Sequence, residues 1–486
     1  MDGLRLDRSP LSLADLRDVS FKGLKVELSP FARKRIVLAR KFLEAEVVEG
    51  KTLYGVNTGF GLLANVRIPD ADLESLQYNL LRSHAVGTGA PLPEPLVRAM
   101  LLLRASTLAR GHSGVTVALV EALLALLNRG VHPYIPEQGS VGASGDLAPL
   151  SHLALVLIGE GKAYFRGQLM SGSKALSAAG LKPIRLHAKE GLALINGTQF
   201  MAALGAAALF EAETLADVAD VIGAMSCEAV KGTAAAFEPE IHELRPHPGQ
   251  IESARRILSF MRPLGKQSRI AKSHQDCDRV QDPYSFRCMP QVHGASRDML
   301  TYVRGVVERE INSVTDNPLV FPAQKKILSG GNFHGQAMAL AMDALTIATA
   351  ELASISEERL AKLVNPALSG LPAFLAPASG LNSGFMIVQV AAASIVSENK
   401  TLAHPASVDS IPTSADKEDH VSMGAWAARK ALMVTRNCRR VLAMELLAAA
   451  QGIDLLRPLT STLPIEKLHR RVRKVSAAMM TDRSLH

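Results

Sequence analysis

The sequence is poor in cysteine and in aromatic residues. Its 4 cysteines (Cys227, Cys277, Cys288 and Cys438) show neither a CxxC pair nor the histidine spacing of a zinc site. They therefore predict no disulfide framework and no metal site, and they fit a reducing compartment. Aromatic residues make up 4% of the chain, with Trp426 as the single tryptophan, while alanine and leucine are abundant. This composition favours closely packed helices over aromatic-rich sheets.

The sequence also lacks a strong excess of charge. It shows neither a signal peptide nor a membrane-spanning segment. The formal net charge of +8 is modest for 486 residues. The densest basic run, 467–474, has no interleaved aromatic residues and is typical of the solvated face of a helix. The N-terminus shows no apolar core, and the most apolar part of the longest uncharged stretch, 385–396, is too short to cross a bilayer. We therefore expect no nucleic-acid partner, no membrane association and a cytoplasmic location.

The length and the periodicity of the chain predict two parts. A chain of 486 residues, 48% of them hydrophobic, exceeds the size at which a single core stops growing. Long helical patterns dominate beyond residue 200 and suit a bundle. We predict a mainly α protein, in which an elongated bundle of long helices over residues 201–486 follows a smaller mixed N-terminal lobe over residues 1–200. Walker loops, GxGxxG, HExxH and GxSxG motifs do not occur in the sequence.

A cluster of small residues occupies positions 139–150, which read GSVGASGDLAPL. Glycines on both sides of Ser144 allow the backbone to fold tightly and to be approached closely. From small-residue content alone, a tight turn is the commoner interpretation. Asp146 is placed to cap the apolar helix that begins at Leu147.

Three further polar residues lie next to glycines in the first 200 residues. Tyr54 begins YGVNTGFG, where it is either an ordinary loop residue or a phenol on a mobile lid that exchanges a proton. His84 precedes a glycine-rich loop, where a structural role is the commoner one. Asn196 precedes a glycine and by itself indicates a turn or a cap.

Two polar clusters lie in the second half of the chain. Gln281, Tyr284 and Arg287 recur at three-residue steps, which would place them on one side of a helical turn. An arginine so placed is a natural bidentate partner of a carboxylate, although a solvated turn gives the same pattern. Phe333 lies in GGNFHG, and Glu418 lies among charges that precede a helix, where the helix dipole alone would explain them.

Taken together, these motifs resemble those of the aromatic amino acid ammonia-lyases, and most of all those of the members that deaminate histidine. The resemblance runs over nearly the whole chain. It rests on seven motifs in the family's order: YGVNTGFG (54–61), GSVGASGDLAPLSH (139–152), ALINGTQ (193–199), RVQDPYSFRC (279–288), NSVTDNPL (312–319), GGNFH (330–334) and HPASVDSIPTSADKEDHVSMG (404–424). Several separate motifs in order are far more specific than any one of them.

The resemblance implies a fumarase/aspartase-like helical architecture and a cofactor made from the chain itself. Ala143, Ser144 and Gly145 would cyclise and lose water to form 4-methylidene-imidazol-5-one (MIO). The amide nitrogen of Gly145 would attack the Ala143 carbonyl, the Ser144 hydroxyl would leave, and Asp146 would support the reaction by hydrogen bonding. Elimination of ammonia involves a weakly acidic β-hydrogen and a poor leaving group, so an electrophile is the missing chemistry. Neither a metal nor a dissociable cofactor is implied.

The resemblance also implies roles for individual positions. They are Tyr54 as the lid base that takes the β-proton, Asn196 and Tyr284 as groups around the electrophile, Arg287 as the clamp on the substrate carboxylate, Gln281 and Phe333 as pocket residues, His84 with Ser83 as the pair that favours an imidazole, and Glu418 as the group that holds the imidazole or assists proton transfer. The chain departs from the family at Asp416-Lys417, where relatives more often have Asn-Gln. A cation at Lys417 would favour the ionised form of Glu418.

The activity implied is the elimination of ammonia from L-histidine to trans-urocanate, a step of histidine degradation. The implied assembly is a homotetramer whose active sites combine residues from three subunits. Tyrosine or phenylalanine ammonia-lyase and 2,3-aminomutase are the alternatives within the enzyme class, because the same cofactor serves them. A catalytically silent helical scaffold is the alternative outside that class. The intact residues Ala143-Ser144-Gly145 and Tyr54 argue against such a scaffold.

Overall fold

A computed structural model describes residues 3–275 and 277–486. Helices dominate it: α1 (Leu13–Lys22), α2 (Pro30–Val48), α3 (Leu73–His84), α4 (Glu94–Ala109), α5 (Val117–Arg129), α6 (Leu147–Leu157), α7 (Gly172–Ala178), α8 (Glu190–Ile195), α9 (Gln199–Ala229), α10 (Pro239–Glu243), α11 (Pro248–Met261), α12 (Arg269–Lys272), α13 (Tyr284–Arg287), α14 (Met289–Glu310), α15 (Gln336–Val364), α16 (Pro366–Ser369), α17 (Met386–Leu402), α18 (Gly424–Leu455) and α19 (Leu463–Val475). The prediction of a mainly α protein is confirmed.

The strands are short and pair in small sheets. They are β1 (Leu4–Leu6), β2 (Val26–Leu28), β3 (Thr88–Pro91), β4 (Val131–Pro133), β5 (Pro136–Gln138), β6 (Lys162–Phe165), β7 (Gln168–Ser171), β8 (Leu319–Phe321) and β9 (Lys326–Leu328). Strands β4, β6 and β7 form an antiparallel sheet in that order, while β3 pairs with β5, β8 with β9, and β1 in parallel with β2.

Contacts between Cα atoms divide the chain into two units. The first comprises Met1–Ala207, Gly305–Met342 and Pro405–Arg429, and the second comprises Ala208–Arg304, Asp343–His404 and Lys430–His486. Strands β1 to β9 all lie in the first unit. This division differs from the predicted one, because two segments far beyond residue 200 join the first unit.

These later segments belong to the first unit because they pack on residues 139–146, the Ser144 loop. One segment reaches it through the backbone N–H of Gly335, which donates to the Gly142 carbonyl at 3.2 Å. The other reaches it through Met423, whose N–H donates to the Val141 carbonyl at 2.8 Å. Hydrogen bonds between residues so distant in sequence leave no local pattern, so the predicted boundary did not include them.

Local signals in the sequence determine where several helices begin and end. The Ser29 hydroxyl accepts a hydrogen bond from the Ala32 N–H at 3.1 Å, and Pro30 is the first residue of α2. Helix α5 ends at Gly130, which has the left-handed conformation that glycine adopts at helix ends. Both signals involve residues within a few positions of the helix end that they define.

Three helices of the first unit bring candidate residues together. Helix α6 packs against both α3 and α8. His84 is the last residue of α3, Asn196 follows α8 directly, and the Ser144 loop leads into α6. The packing of these helices therefore brings together three residues from different parts of the sequence, His84, Ser144 and Asn196.

The core of the second unit contains a buried ion pair. Arg359 on α15 donates through Nε to Glu445 on α18 at 2.5 Å, and both side chains are fully buried. The same carboxylate accepts hydrogen bonds from the Ser226 hydroxyl at 2.7 Å and the Ser356 hydroxyl at 2.6 Å. The buried charges are thus paired and hydrogen-bonded, as burial requires.

Within the residues that the structure describes, one helix, α15 (Gln336–Val364), has the length and apolarity of a membrane span. About 67% of its most apolar window is buried inside the protein. Core helices of globular proteins commonly show this combination of apolar composition and burial.

Candidate active site

The Ser144 loop is a tight bend that depends on its glycines. Gly142 and Gly145 have φ values of +69° and +76°, in the left-handed region that favours glycine. A Cβ atom at Gly145 would overlap the backbone of Gly197, with which Gly145 forms an isolated parallel bridge. Ser144 lies between these glycines and is half-buried. The loop thus presents Ser144 on a backbone that is packed closely on both sides.

Asp146 closes the Ser144 loop and is fully buried. Its carboxylate accepts hydrogen bonds from the Ser140 hydroxyl at 2.9 Å and from the N–H groups of Phe200 and Met201 at 3.0 and 3.1 Å. Its side chain makes no capping bond to α6, so the prediction that it caps the helix beginning at Leu147 is wrong. Asp146 instead accepts hydrogen bonds from the free N–H groups at the start of α9, because the tertiary fold brings that helix end close to it. Burial raises its pKa to about 7.

Asn196 holds the Ser144 loop from the opposite side. Its side-chain amide donates to the Ser144 carbonyl at 2.8 Å. The carbonyl of Asn196 accepts a hydrogen bond from Arg104 at 3.0 Å, and Arg104 also donates to Gln199 at 2.8 Å. Arg104 was not among the predicted site residues, although a charged residue in the apolar run of α4 was the available signal. It is fully buried, and burial lowers its pKa to about 10.

A cavity of about 1110 Å³ opens over Ser144. This volume is slightly larger than that of ordinary small-molecule sites, which measure about 300–1,000 Å³. All of its lining residues belong to the first unit. Seven of the predicted site residues line it: Tyr54, His84, Ala143, Ser144, Asn196, Phe333 and Glu418. Six of these residues come from five of the sequence motifs, and His84 lies outside them, so the fold brings five motifs and His84 together.

Tyr54 lies on a loop at the rim of this cavity. Its ring packs edge-on against Phe60, with 6.4 Å between the ring centroids. Its hydroxyl oxygen accepts a long hydrogen bond, 3.4 Å, from the N–H of Gly61. A single long contact leaves the phenol available to a ligand in the cavity.

His84 lines the cavity, and its hydrogen bonds define its protonation state. Its Nδ1 lies 2.9 Å from the Leu80 carbonyl and 3.0 Å from the Ser83 hydroxyl. A carbonyl oxygen only accepts hydrogen bonds, so Nδ1 carries the proton and Nε2 is an acceptor. Burial lowers the pKa of His84, which keeps the ring neutral near pH 7.

Glu418 lines the cavity and contacts Ser144 directly. The Ser144 hydroxyl donates to one carboxylate oxygen of Glu418, and the Thr413 hydroxyl donates to the other at 2.6 Å. Lys417 lines the same cavity, so a cation lies in this wall. The wall also holds His420, whose ring is nearly parallel to that of His334 at 6.0 Å between centroids.

Three predicted site residues lie in the second unit and do not line this cavity. Tyr284 and Arg287 are on α13, and the guanidinium of Arg287 lies 4.5 Å from the centre of the Tyr284 ring. Tyr284 is 71% exposed. The Arg287 Nε is buried and has no hydrogen-bond partner among the described residues. A buried polar atom without a partner is uncommon in a folded protein, so the Arg287 side chain stands out in this unit.

The expectation that Gln281 shares a helical turn with these two residues is wrong. Helix α13 begins at Tyr284 with Pro283 as its N-cap, and Gln281 precedes it in a non-helical segment. The physical reason is Pro283, because the residue before a proline is disfavoured in the helical region. Gln281 is exposed.

In the described part of the chain, residues 3–275 and 277–486, no group of three or more histidine, cysteine, aspartate or glutamate side chains is arranged to hold a metal ion. The polar groups around Ser144 are instead hydroxyl, amide, imidazole and carboxylate groups. These are groups that exchange protons and orient a ligand.

The chain has close relatives among known proteins. The sequence profile of the aromatic amino acid lyases matches residues 11–474. A histidine ammonia-lyase from Anaeromyxobacter sp. (strain K) is 54% identical over 495 residues, which cover 100% of this chain and 97% of that protein.

Two solved structures share the fold over the whole chain. The histidine ammonia-lyase from Trypanosoma cruzi has a TM-score of 0.92 at 48% identity and covers 100% of this chain and 91% of its own. A tyrosine aminomutase from Streptomyces globisporus has a TM-score of 0.93 at 36% identity, with coverages of 100% and 94%. The helical fold and these relatives define an enzyme of the carbon–nitrogen lyase class. The chain belongs to the aromatic amino acid lyase family.

Proposed function

We propose that this enzyme eliminates ammonia from L-histidine to give trans-urocanate, with MIO formed from Ala143, Ser144 and Gly145. The observation that carries the proposal is the cavity over Ser144, which also presents the neutral Nε2 acceptor of His84. An imidazole side chain offers an N–H donor to such an acceptor, whereas a phenyl ring does not. The names of the relatives at 54% and 48% identity agree with this substrate.

The residues of the Ser144 loop fit the formation of this group. Ring closure joins the Gly145 nitrogen to the Ala143 carbonyl carbon, and the carbonyl oxygen leaves as water with the amide hydrogens of Ser144 and Gly145. A second water leaves with the Ser144 hydroxyl and its α-hydrogen. Gly145 has the φ that only glycine adopts readily, and the Asn196 amide already holds the Ser144 carbonyl. Once formed, the group supplies an electrophile that no ordinary side chain provides.

The other cavity residues bind the substrate and move protons. His84 would accept the imidazole N–H, and Phe333 would pack on the ring. Tyr54, whose hydroxyl has one long hydrogen bond, would take the β-proton as its phenolate. Glu418 would hold the far side of the imidazole or relay a proton. Each of these assignments combines the observed position with the family's roles.

The carboxylate end of the substrate requires groups that the cavity of one chain lacks. Among its lining residues there is no arginine. Arg287, with Tyr284 and Gln281, is the family's candidate for this role, and its Nε is unsatisfied in the single chain. We therefore include in the proposal a homotetramer, in the cytoplasm, in which these three residues complete the site of another subunit.

A substrate panel tests the proposed activity. Histidine, tyrosine and phenylalanine would be offered to the purified enzyme, and the unsaturated products would be distinguished by absorbance. We expect urocanate from histidine at a rate well above that of either other product. Equal or faster turnover of tyrosine, or formation of a β-amino acid, would favour the aminomutase or tyrosine-lyase alternative, to which the 36% identical structural relative points.

The mass of the intact chain tests the cofactor separately. We expect the purified protein to be lighter than its sequence by the mass of two water molecules. A chain of full mass would contradict the proposed cofactor, whatever the substrate panel shows. Ser144→Ala is the matched control, since it keeps the loop but removes the leaving hydroxyl.

A further inference from the structure

The Gly142 carbonyl, one residue before the proposed ring, accepts hydrogen bonds from two distant segments. The Ser422 hydroxyl donates to it at 2.9 Å, and the N–H of Gly335 donates to it at 3.2 Å. The Ser422 hydroxyl also accepts a hydrogen bond from the N–H of Gly424 at 3.1 Å. Ser422 is fully buried, so its hydroxyl is committed to these backbone partners.

The contact between Ser422 and Gly142 is close as well as polar. A Cβ atom at Gly142 would collide with the Ser422 hydroxyl. The next residue, Met423, has a φ of +55° and donates its N–H to the Val141 carbonyl at 2.8 Å. Residues 422 and 423 therefore bind two consecutive carbonyls of the Ser144 loop. A left-handed φ at a non-glycine residue indicates that the surroundings enforce this geometry.

The other end of the proposed ring is held independently. The Asn196 amide binds the Ser144 carbonyl at 2.8 Å, and the N–H of Asp146 donates to the Gly197 carbonyl at 2.7 Å. Only Ala143 lies between the two sets of hydrogen bonds. Ring closure requires the Gly145 nitrogen to reach the Ala143 carbonyl carbon, and fixing both flanks of this step raises the rate of such a reaction.

We propose that Ser422 is a positioning residue for MIO formation, acting by holding the Gly142 carbonyl while the ring closes. The inference rests on the proposed cofactor and deepens it. Ser422 does not line the cavity, so its effect reaches the reacting atoms only through the Ser144 loop. Its role ends when the ring is complete, and it does not touch the substrate.

A maturation time course tests this role. Wild-type and Ser422→Ala chains would be synthesised in a short pulse, and the fraction that has lost two waters would be followed by mass spectrometry. We expect about tenfold slower loss in Ser422→Ala, since one buried hydrogen bond at the reacting geometry is removed. Ser422→Thr, which keeps the hydroxyl, should restore the rate.

Ser410→Ala is the matched control for loss of a serine hydrogen bond in the same segment. The Ser410 hydroxyl accepts a hydrogen bond from the N–H of Val421 at 3.0 Å and, among the described residues, makes no hydrogen bond to the Ser144 loop. We expect this variant to lose water at the wild-type rate. Where Ser422→Ala does not fold, Ser422→Cys keeps the volume with a weaker donor, and the same slowing is expected.

The possible outcomes separate the two proposals. Wild-type chains of full mass would contradict the proposed cofactor itself. Dehydration of folded Ser422→Ala, or of Ser422→Cys, at the wild-type rate would overturn the role of Ser422 and leave the cofactor intact. A second readout is activity per dehydrated chain, in which kcat and KM should equal the wild-type values. An altered KM in fully dehydrated chains would overturn a role confined to maturation.

Discussion

Replacing Asp146 should destabilise the protein strongly and remove part of its dependence on pH. In Asp146→Ala, the Ser140 hydroxyl and the N–H groups of Phe200 and Met201 lose their shared acceptor. Loss of a helix N-cap costs about 1–2 kcal/mol. A buried donor left without a partner costs about 1–3 kcal/mol. We therefore expect the free energy of unfolding to fall by about 2–5 kcal/mol in total.

The pH dependence follows from the raised pKa of Asp146. Burial raises this pKa from 3.8 to about 7, so the folded protein binds the proton more tightly than the unfolded chain does. The resulting contribution is fully present below pH 4 and is lost as the pH rises through about 7. A shift of about 3 units corresponds to about 4 kcal/mol. Asp146→Asn does not titrate, so this contribution should vanish from its pH profile.

The measurement is urea unfolding followed by circular dichroism at pH 5, 6, 7 and 8, at one protein concentration because assembly contributes to stability. The quantity compared is the difference between wild type and Asp146→Asn at each pH, since other groups titrate in both proteins. We expect this difference to change steadily from pH 5 to about pH 7 and to level off towards pH 8. A constant difference, or an Asp146→Ala protein within about 1 kcal/mol of wild type, would refute the reasoning.

Two further predictions concern binding and the core. His84→Phe removes the Nε2 acceptor, so kcat/KM for histidine should fall about 10–100-fold with little change in melting temperature. In the wild type, KM for histidine should rise as the pH falls below 6.5, because protonation of His84 turns that acceptor into a donor. Unchanged steady-state constants in either experiment would contradict this role. Lys189→Met leaves the buried carboxylate of Asp316 without its cation, which lies 2.9 Å away, and should cost about 3–5 kcal/mol in urea unfolding. The paired variant Lys189→Met/Asp316→Asn should recover part of the loss, and a single variant as stable as wild type would show that the ion pair does not stabilise the fold.

The positions of the main helices followed from the sequence because their signals are local. A serine cap and a first-turn proline mark the start of α2, and the predicted dominance of long helical patterns beyond residue 200 agrees with helices such as α15 and α18. Hydrophobic periodicity and capping involve residues within a few positions of one another. The same locality explains the error at Gln281, where Pro283 starts the helix later than the three-residue repeat suggested.

The members of the site were predicted mainly through the resemblance of the motifs to a known family. Periodicity and composition alone left Tyr54 as either an ordinary loop residue or a proton-exchanging phenol, and favoured structural and cap roles for His84 and Asn196. Their common position around Ser144 is a property of the fold, because α6 packs against α3 and α8. Arg104 and Ser422 lie outside the predicted set, since each acts through backbone groups of residues far away in sequence.

The sequence by itself determined the helical class, and its motifs predicted the Ala143-Ser144-Gly145 segment and most of the residues that line the cavity around it. It did so because helix propensity, caps and glycine positions are local properties. Only the tertiary structure decided that Asp146 caps α9 rather than its own helix, and that Ser422 and Gly335 hold the Gly142 carbonyl. These contacts join residues tens to hundreds of positions apart, and their hydrogen bonds form only after the helices have packed.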